Sequence, residues 1–280
     1  MAKQINDRVY FVDEIDVNKL SFSVPKKLGQ KGAQIMYANY REDDGKVYRL
    51  HVQTPRMRCP FGLSPWAEEG QKEQWSISCS FYCPEPNARV EKFFKLCEAI
   101  DNKALDALWE NREQLRLRAK SKDSLADGFI YGSLRYPKNQ DPNKPISPSF
   151  RSRCKKNDND EFIDLEVYDG ETRQLKEPSY LEPRNHIVKI SRLTGVYVVG
   201  PTNYGLSWDA SRVKVYRSKR LGKGVEVFRA DEEDEEPIIE DDEAGLEKPN
   251  NGVVDANDSG SDSDSDDGGS YQGDDGTQSA

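Results

Sequence analysis

The distribution of charge along the chain most restricts what it can fold into. The 280 residues carry a net charge of −9, but the stretch from Asp231 to Ala280 holds 19 acidic residues and one basic residue, a net of −18. Residues 1–230 therefore carry +9. A segment rich in Asp, Glu, Gly and Ser buries too little apolar surface to offset the entropy of ordering. The sequence thus predicts a basic folded domain over 1–230 and a disordered acidic tail over 231–280.

The basic part is long enough for a substantial hydrophobic core. No run of eighteen apolar residues occurs, and residues 1–8 are polar with no apolar stretch behind them, so we expect neither a membrane span nor a secretory signal. The five cysteines are an odd number, which fits reduced thiols better than a disulfide framework. We therefore expect an intracellular protein.

Alternating β-branched and aromatic residues between turn signals predict a sheet. The sequence Glu42-Asp43-Asp44-Gly45 predicts a tight hairpin between two of its strands. The predicted strands are Arg8 to Val12, Lys19 to Val24, Ala33 to Tyr40, Val47 to Gln53, Gln74 to Tyr82, Phe162 to Tyr168, Ile187 to Val199 with an interruption at 193–195, and Leu206 to Tyr216.

Helices are expected in the middle of the chain. Apolar residues at helical spacing predict one helix from Val90 to Ile100 and a second from Leu105 toward Arg118, separated at Asp101-Asn102. Residues 136–149 hold four prolines and predict an exposed loop. Helices inserted in an antiparallel β system make α+β, with a barrel-like core, the predicted fold class.

The sequence holds no catalytic motif that we recognise. It has two histidines and lacks the nucleophile-elbow, P-loop, zinc-protease and dinucleotide-binding patterns. Cys79 and Cys83, with Cys59 and His51 upstream, are poorly spaced for zinc and fit buried core positions better. The carboxylates over 158–164 fit a solvated turn better than a cation site. We therefore predict no enzyme activity, no metal and no cofactor.

Cations next to aromatic rings do accumulate. This combination is typical of single-stranded nucleic-acid binding, where a positive groove follows the phosphates and planar side chains stack on the bases. Each group also has a plainer interpretation, because exposed arginines are common and aromatic rings more often pack in cores. The candidate nucleic-acid-binding residues are Arg49, Arg56, Arg58, Trp66, Tyr131, Arg135, Tyr136, Lys138, Phe150, Arg151, Arg153, Lys155, Lys156, Trp208, Arg212, Lys214, Tyr216, Lys219 and Arg220. Packing roles are predicted for Tyr37, Tyr40, Tyr48, Phe93 and Phe94.

Strand geometry adds a prediction for the last basic stretch. The even positions Trp208, Arg212, Lys214 and Tyr216 should lie near one face of a strand, subject to one slip of the alternation at Ala210-Ser211. The acidic tail can act as an internal polyanion that competes for the cationic surface, or can recruit basic partners. A simple role in solubility is the alternative.

Two segments carry a resemblance to a known family. The sequence from Val52 to Leu63, VQTPRMRCPFGL, and the later one from Tyr204 to Val215, YGLSWDASRVKV, resemble single-stranded DNA-binding proteins of nucleocytoplasmic large DNA viruses, the group that includes African swine fever virus. The resemblance covers roughly residues 8–230. It implies an OB-fold-like antiparallel β-barrel elaborated by helices, with no catalysis and no required metal. Gly62 and Gly205 are expected to shape the backbone.

The resulting prediction is a sequence-tolerant single-stranded DNA-binding protein of viral DNA replication, recombination or repair. RNA stays an alternative ligand, and oligomer formation stays open. The tail would contact replication proteins, and the site of action would be the host nucleus or a cytoplasmic replication site. The alternative from another class is a non-enzymatic adaptor whose acidic tail mimics DNA or binds basic proteins. An enzyme that uses the 158–164 carboxylates ranks behind both.

Overall fold

The computed structural model of the chain describes residues 6–29, 32–66, 73–129, 131–137 and 146–217. Over these ranges it is mostly β-structure with two α-helices, consistent with the OB-like α+β fold that the sequence predicts. The chain divides after Gly222, and every described residue belongs to the first part. The acidic tail over 231–280 lies outside the described residues, so its disorder and the boundary at 230 stay predictions.

The strands of the described ranges follow one another along the chain, with both helices placed between the eighth and the ninth. The strands are β1 (Asn6–Phe11), β2 (Leu20–Phe22), β3 (Lys26–Leu28), β4 (Ala33–Arg41), β5 (Val47–Gln53), β6 (Met57–Arg58), β7 (Leu63–Trp66), β8 (Gln74–Ser80), β9 (Ser149–Lys156), β10 (Phe162–Ile163), β11 (Glu166–Asp169), β12 (Leu175–Lys176), β13 (His186–Val199) and β14 (Asn203–Tyr216). The helices are α1 (Ala88–Glu110) and α2 (Lys122–Gly128).

Five of the strands close into a barrel. The hydrogen-bonded order runs β13, β6, β8, β9 and β14, and β14 pairs back onto β13. Strands β4 and β5 also pair with β13, and β1 pairs with β5, so the sheet continues beyond the ring. Closure pairs backbone N–H and C=O groups along the edges of the ring strands, and one face of each strand is left to pack in the core. The barrel-like core predicted from the sequence is therefore present.

The long hairpin of β13 and β14 carries a β-bulge where the sequence predicts a slip. Ser191 lies opposite Ala210 and Ile190 opposite Arg212, so Ser211 is an extra residue on β14. An extra residue exchanges the faces of all later side chains. Trp208 therefore points into the core, whereas Arg212 is exposed. The prediction that these two side chains share a face is wrong, although the slip itself is confirmed.

Helix α1 is continuous across the predicted break at Asp101. Asn87 caps its start, because its side-chain oxygen accepts hydrogen bonds from the N–H groups of Arg89 and Val90. Ile100 and Ala104, on either side of the predicted break, are both buried. Packing along one face thus outweighs the modest helix penalty of Asp and Asn. The chain leaves the helix after Glu110, so the predicted extension toward Arg118 is wrong.

Aromatic rings form a continuous line from α1 into the barrel. The ring centroids of Phe93 and Phe150 are 5.0 Å apart, and so are those of Phe150 and Trp208. Phe150 is 0 % exposed and Trp208 is 2 % exposed, and the indole Nε1 donates a 3.1 Å hydrogen bond to Ser133 Oγ. Neither ring can stack on a base while the core is intact. The base-stacking prediction for Phe150 and Trp208 is corrected to a packing role.

Two short loops confirm predictions made from turn residues. Gly45 has φ of +77° and donates its N–H to the carbonyl oxygen of Glu42, which closes the predicted hairpin. Gly62 has φ of +64°, and a Cβ there would lie 2.6 Å from the carbonyl oxygen of Leu181. Both positions therefore require the freedom of glycine. The predicted strand from Phe162 is divided into β10 and β11, because Asp164 adopts φ of +61°.

Candidate nucleic-acid interface

A groove lined by positive charge crosses the outer face of β4, β5, β9 and β13. Its volume is about 760 Å³. The described residues that line it include no Asp and no Glu. We call it the cationic groove and define it by five cations and two tyrosines: Lys26, Arg49, Arg153, Lys155, Arg192, Tyr37 and Tyr48. Such a surface attracts a polyanion.

Asp209 holds three of these cations together. Its carboxylate accepts hydrogen bonds from Lys155 Nζ at 2.6 Å, Arg192 Nη2 at 3.1 Å and Arg153 Nη2 at 3.3 Å, and from Thr194 Oγ1 at 2.7 Å. Burial opposes ionisation of Asp209, but the hydrogen bonds from Lys155 and Thr194 and the nearby cations outweigh it and lower the pKa of the carboxyl. One buried negative charge therefore positions three positive ones and leaves the groove with a net positive charge.

Strand β9 supplies cations to the groove by simple alternation. Phe150, Ser152 and Cys154 are buried, and the residues between them point outward. Asp209 on β14 lies opposite Arg153, which also donates a hydrogen bond to the hydroxyl of Ser207. The basic residues of this segment are among the predicted nucleic-acid-binding residues, but the strand that carries them is not among the predicted strands.

Tyr37 presents its ring to the groove. It lies on β4 opposite Gly195, and its backbone N–H and carbonyl form 2.9 Å hydrogen bonds with Ser23. The side chain is 39 % exposed, and Lys26 Nζ lies 5.7 Å from the ring centroid. The predicted packing role of Tyr37 is therefore wrong, and half-buried Tyr48 also lines the groove. The packing roles of Tyr40 and Phe93, each 1 % exposed, are confirmed.

A second set of cations lies beside a short segment over residues 131–136, which we call the strap. Arg135 pairs with Ser149 through two backbone hydrogen bonds of 2.9 and 3.0 Å, and Tyr131 accepts one of 2.8 Å from the N–H of Leu206. The strap thus joins β9 to β14. Arg135 lies 5.3 Å from the ring centroid of Tyr131.

Gly205 makes room for the strap. A Cβ at this position would lie 2.5 Å from Cβ of Tyr131 and 3.0 Å from the hydroxyl of Tyr197. Any larger residue would push both rings away from β14. The expectation that Gly205 shapes the backbone is confirmed, and its role is to let Tyr131 lie against the sheet.

Asp101 on α1 ties the strap to the helix. Its carboxylate accepts hydrogen bonds from the N–H groups of Ser133 at 2.6 Å and Leu134 at 3.1 Å. Burial raises the pKa of Asp101 to about 6, and these hydrogen bonds and Arg135 only partly oppose that rise. The folded state therefore holds this proton more tightly than the unfolded chain.

A pH dependence of stability follows for Asp101. Its contribution to the free energy of unfolding is present below the ordinary pKa of about 4 and is lost as pH rises through about 6. Asp101→Asn cannot titrate. We expect the free energy of unfolding of the native chain, minus that of the variant, to fall between pH 4 and pH 7. Urea unfolding of both chains measures this difference, and a constant difference would contradict the assignment.

The other predicted residues are spread over the surface. Trp66 and Tyr136 are 42 % and 58 % exposed, and Arg151 lies 5.6 Å from the Trp66 ring centroid. Lys156 lies instead 4.3 Å from the Trp75 ring centroid and binds Asp160, outside the groove.

The remaining predicted residues belong to the far end of the β13–β14 hairpin and to β14 itself. At that end lie Arg56, Arg58 and Tyr216, and the guanidinium group of Arg56 covers the Tyr216 ring. On β14, Lys214 is exposed and Arg212 binds Glu166. Lys138, Lys219 and Arg220 lie outside the described residues.

The described residues were compared with the requirements of a metal site and of a membrane-spanning helix. No group of three or more His, Cys, Asp or Glu side chains among them is arranged to hold a metal ion. Cys59 and Cys79 are buried core residues. Within the same ranges, no helix has the length and apolar character that a membrane crossing requires.

Comparison with known proteins finds similarity at the level of solved structures. The single-stranded DNA-binding protein of bacteriophage Enc34, in complex with single-stranded DNA, is 14 % identical over 71 % of this chain and 97 % of its own, with a TM-score of 0.38. Gp2.5, a single-stranded DNA-binding protein of bacteriophage T7, is 12 % identical over 63 % and 97 %, with a TM-score of 0.41. No protein-family model and no curated protein sequence matches the chain. The resemblance to single-stranded DNA-binding proteins of nucleocytoplasmic large DNA viruses stays a prediction.

Proposed function

We propose that the chain binds single-stranded DNA without strong sequence preference. One observation carries the proposal: five cations and two tyrosines line one groove whose described lining has no carboxylate. Lys and Arg neutralise phosphates of any sequence, and every base has a face on which an aromatic ring can stack. The groove therefore has the two components that sequence-tolerant binding requires.

The exposed ring of Tyr37 favours a single strand over a duplex. The bases of a duplex are already stacked on each other, whereas an unpaired base can lie against an aromatic side chain. Lys26 lies beside the ring and Arg192 also lines the groove, so both can bind phosphates of a strand whose base stacks on Tyr37. RNA meets the same two components, and a direct comparison of DNA and RNA strands would rank them.

Further parts of the proposal are supported by the sequence. The chain would act without catalysis in viral DNA replication, recombination or repair, in the host nucleus or at a cytoplasmic replication site. The acidic tail over 231–280 would contact replication proteins. The adaptor alternative differs in one measurable respect, because it predicts that the chain does not bind oligonucleotides.

Replacing Tyr37 by Ala should weaken binding about 10-fold, because the loss of one stacked base costs about 1 to 3 kcal/mol. The measurement is fluorescence anisotropy of a labelled thirty-nucleotide strand, alone and as a duplex, titrated with the full chain. Tyr82→Ala is the matched control, since this tyrosine is 54 % exposed but does not line the groove. If Tyr37→Ala binds the single strand as tightly as the native chain does, the stacking role of Tyr37 is contradicted. If the native chain binds the duplex as tightly as the single strand, the preference for single strands is contradicted.

A further inference from the structure

Three arginines converge where the strap meets β9. Arg151 and Arg153 point outward from alternate positions of β9, and the pairing of Arg135 with Ser149 places the strap along the same strand. The charges of Arg151 and Arg153 both act on Arg135. Three guanidinium groups thus occupy one small region, which we call the arginine cluster.

The positive charge of the arginine cluster is only partly balanced. Arg153 binds Asp209, but this carboxylate is shared with Lys155 and Arg192. Asp101 is close enough to act on Arg135, yet its hydrogen bonds go to the backbone of the strap. The described carboxylates therefore leave an excess of positive charge at Arg135 and Arg151.

Arg135 also has an unused donor. Its Nε is buried and has no hydrogen-bond partner. Burial, and then the charge of Arg151, lower the pKa of Arg135, because both make its positive charge less favourable. A buried donor without an acceptor destabilises a fold unless a ligand satisfies it. An anion at this point would satisfy the donor and relieve the repulsion among the arginines.

Aromatic rings and a serine hold the guanidinium groups in place. Arg135 lies 5.3 Å from the Tyr131 ring centroid, and Arg151 lies 5.6 Å from that of Trp66. Arg151 Nε donates a 2.9 Å hydrogen bond to Ser76 Oγ. Planar groups fixed in this way suit the oxygens of a phosphate better than flexible lysines do.

We propose that Arg135, Arg151 and Arg153 form a phosphate-binding site that takes one phosphate group of the bound strand. The inference rests on the proposed function and deepens it. Arg153 belongs both to this site and to the cationic groove, so a strand lying in the groove reaches the arginine cluster without leaving the protein surface. The phosphate is either an internal phosphodiester or a terminal phosphate of the strand.

The first test is the salt dependence of binding. The full chain and Arg135→Gln are titrated into a labelled thirty-nucleotide strand at several salt concentrations, with Arg89→Gln on α1 as the charge-matched control. Loss of one phosphate contact should lower the slope of log affinity against log salt by about 0.7 and the affinity at 0.15 M salt by about 4-fold. An unchanged slope in Arg135→Gln overturns the site. Arg151→Gln serves in the same way if Arg135→Gln does not fold.

Strand chemistry distinguishes the two sources of phosphate. If the site takes a terminal phosphate, replacing that phosphate by a 5′-hydroxyl or a 3′-hydroxyl should weaken binding to the native chain. The loss should equal the loss that Arg135→Gln causes with the phosphorylated strand. If it takes a phosphodiester, the end groups do not matter and Arg135→Gln weakens binding of every strand equally. Both outcomes support the site and assign its ligand.

Inorganic phosphate separates failure of this site from failure of the proposed function. Phosphate should raise the Tm of the native chain more than chloride does at equal ionic strength, and this excess should disappear in Arg135→Gln. If no strand binds but the additional rise in Tm with phosphate depends on Arg135, the proposed function is contradicted and the anion site is supported. If strands bind but Arg135→Gln changes neither the salt slope of binding nor the additional rise in Tm, the anion site is contradicted and the proposed function is supported.

Discussion

Removal of three groove cations, by Lys26→Gln, Arg49→Gln and Arg153→Gln together, should weaken single-stranded DNA binding about 50-fold at 0.15 M salt. Each phosphate contact contributes about 0.7 to the slope of log affinity against log salt, so three contacts contribute about 2. All three side chains line the cationic groove. Asp209 keeps Lys155, Arg192 and Thr194 as hydrogen-bond partners in this variant, so the groove itself should persist.

The control for this variant removes the same charge elsewhere. Arg89, Lys92 and Lys95 are exposed on α1, and none of them lines the groove. Their triple replacement by Gln changes the net charge equally and should alter the affinity and the slope little. Anisotropy titrations over a range of salt measure both variants. Equal losses in the two variants would mean that net charge, rather than the groove, drives binding.

Trp208→Ala should lower the free energy of unfolding by about 3 to 5 kcal/mol, the loss usual for a large aromatic side chain in a core. The ring packs edge-on against Phe150, and its Nε1 holds Ser133 in the strap. The variant would therefore lose packing and leave the Ser133 hydroxyl without its donor. Urea unfolding measures the change.

Trp66 provides the matched comparison for Trp208. Trp66→Ala removes an exposed ring and should change the free energy of unfolding by less than about 1 kcal/mol. Trp208→Phe keeps most of the packing and should recover much of the lost stability. A Trp208→Ala chain as stable as the native one would contradict the core position of the ring.

Much of the sheet follows from local pattern. The hairpin at 42–45, strand β5 and the slip at Ser211 were predictable, because turn residues and alternation act over a few neighbouring positions. The pattern does not predict strand β9, since six of its eight residues are cations or serines and it follows a Pro-rich segment. The break predicted at Asp101 failed because packing of α1 against the core outweighs local propensity.

The site was harder to predict than the fold. The groove joins Lys26 and Tyr37 to Arg192 and Arg153, residues that lie far apart in sequence and meet only through pairing of β4 with β13 and closure of the barrel. Lys26 and Arg192 were therefore missed. The alternation of Arg192 with buried Ser191 and Leu193 was the available signal. The sequence predicts packing for Tyr37 and nucleic-acid binding for Trp208, whereas Tyr37 lines the groove and Trp208 packs in the core. Composition alone does not tell which face of a strand meets the core.

Outward cations and buried side chains alternate along β9, so the register that fills the core is also the register that places the cations on the surface. A slip of one residue would turn Arg151, Arg153 and Lys155 into the barrel and expose Phe150, Ser152 and Cys154. Burial of three cations among apolar side chains is strongly unfavourable, so a slipped molecule would unfold rather than persist. Heat or age should therefore reduce the number of binding-competent molecules without producing folded ones of intermediate affinity. In a partly damaged preparation, we expect the affinity to stay constant and only the stoichiometry of binding to fall.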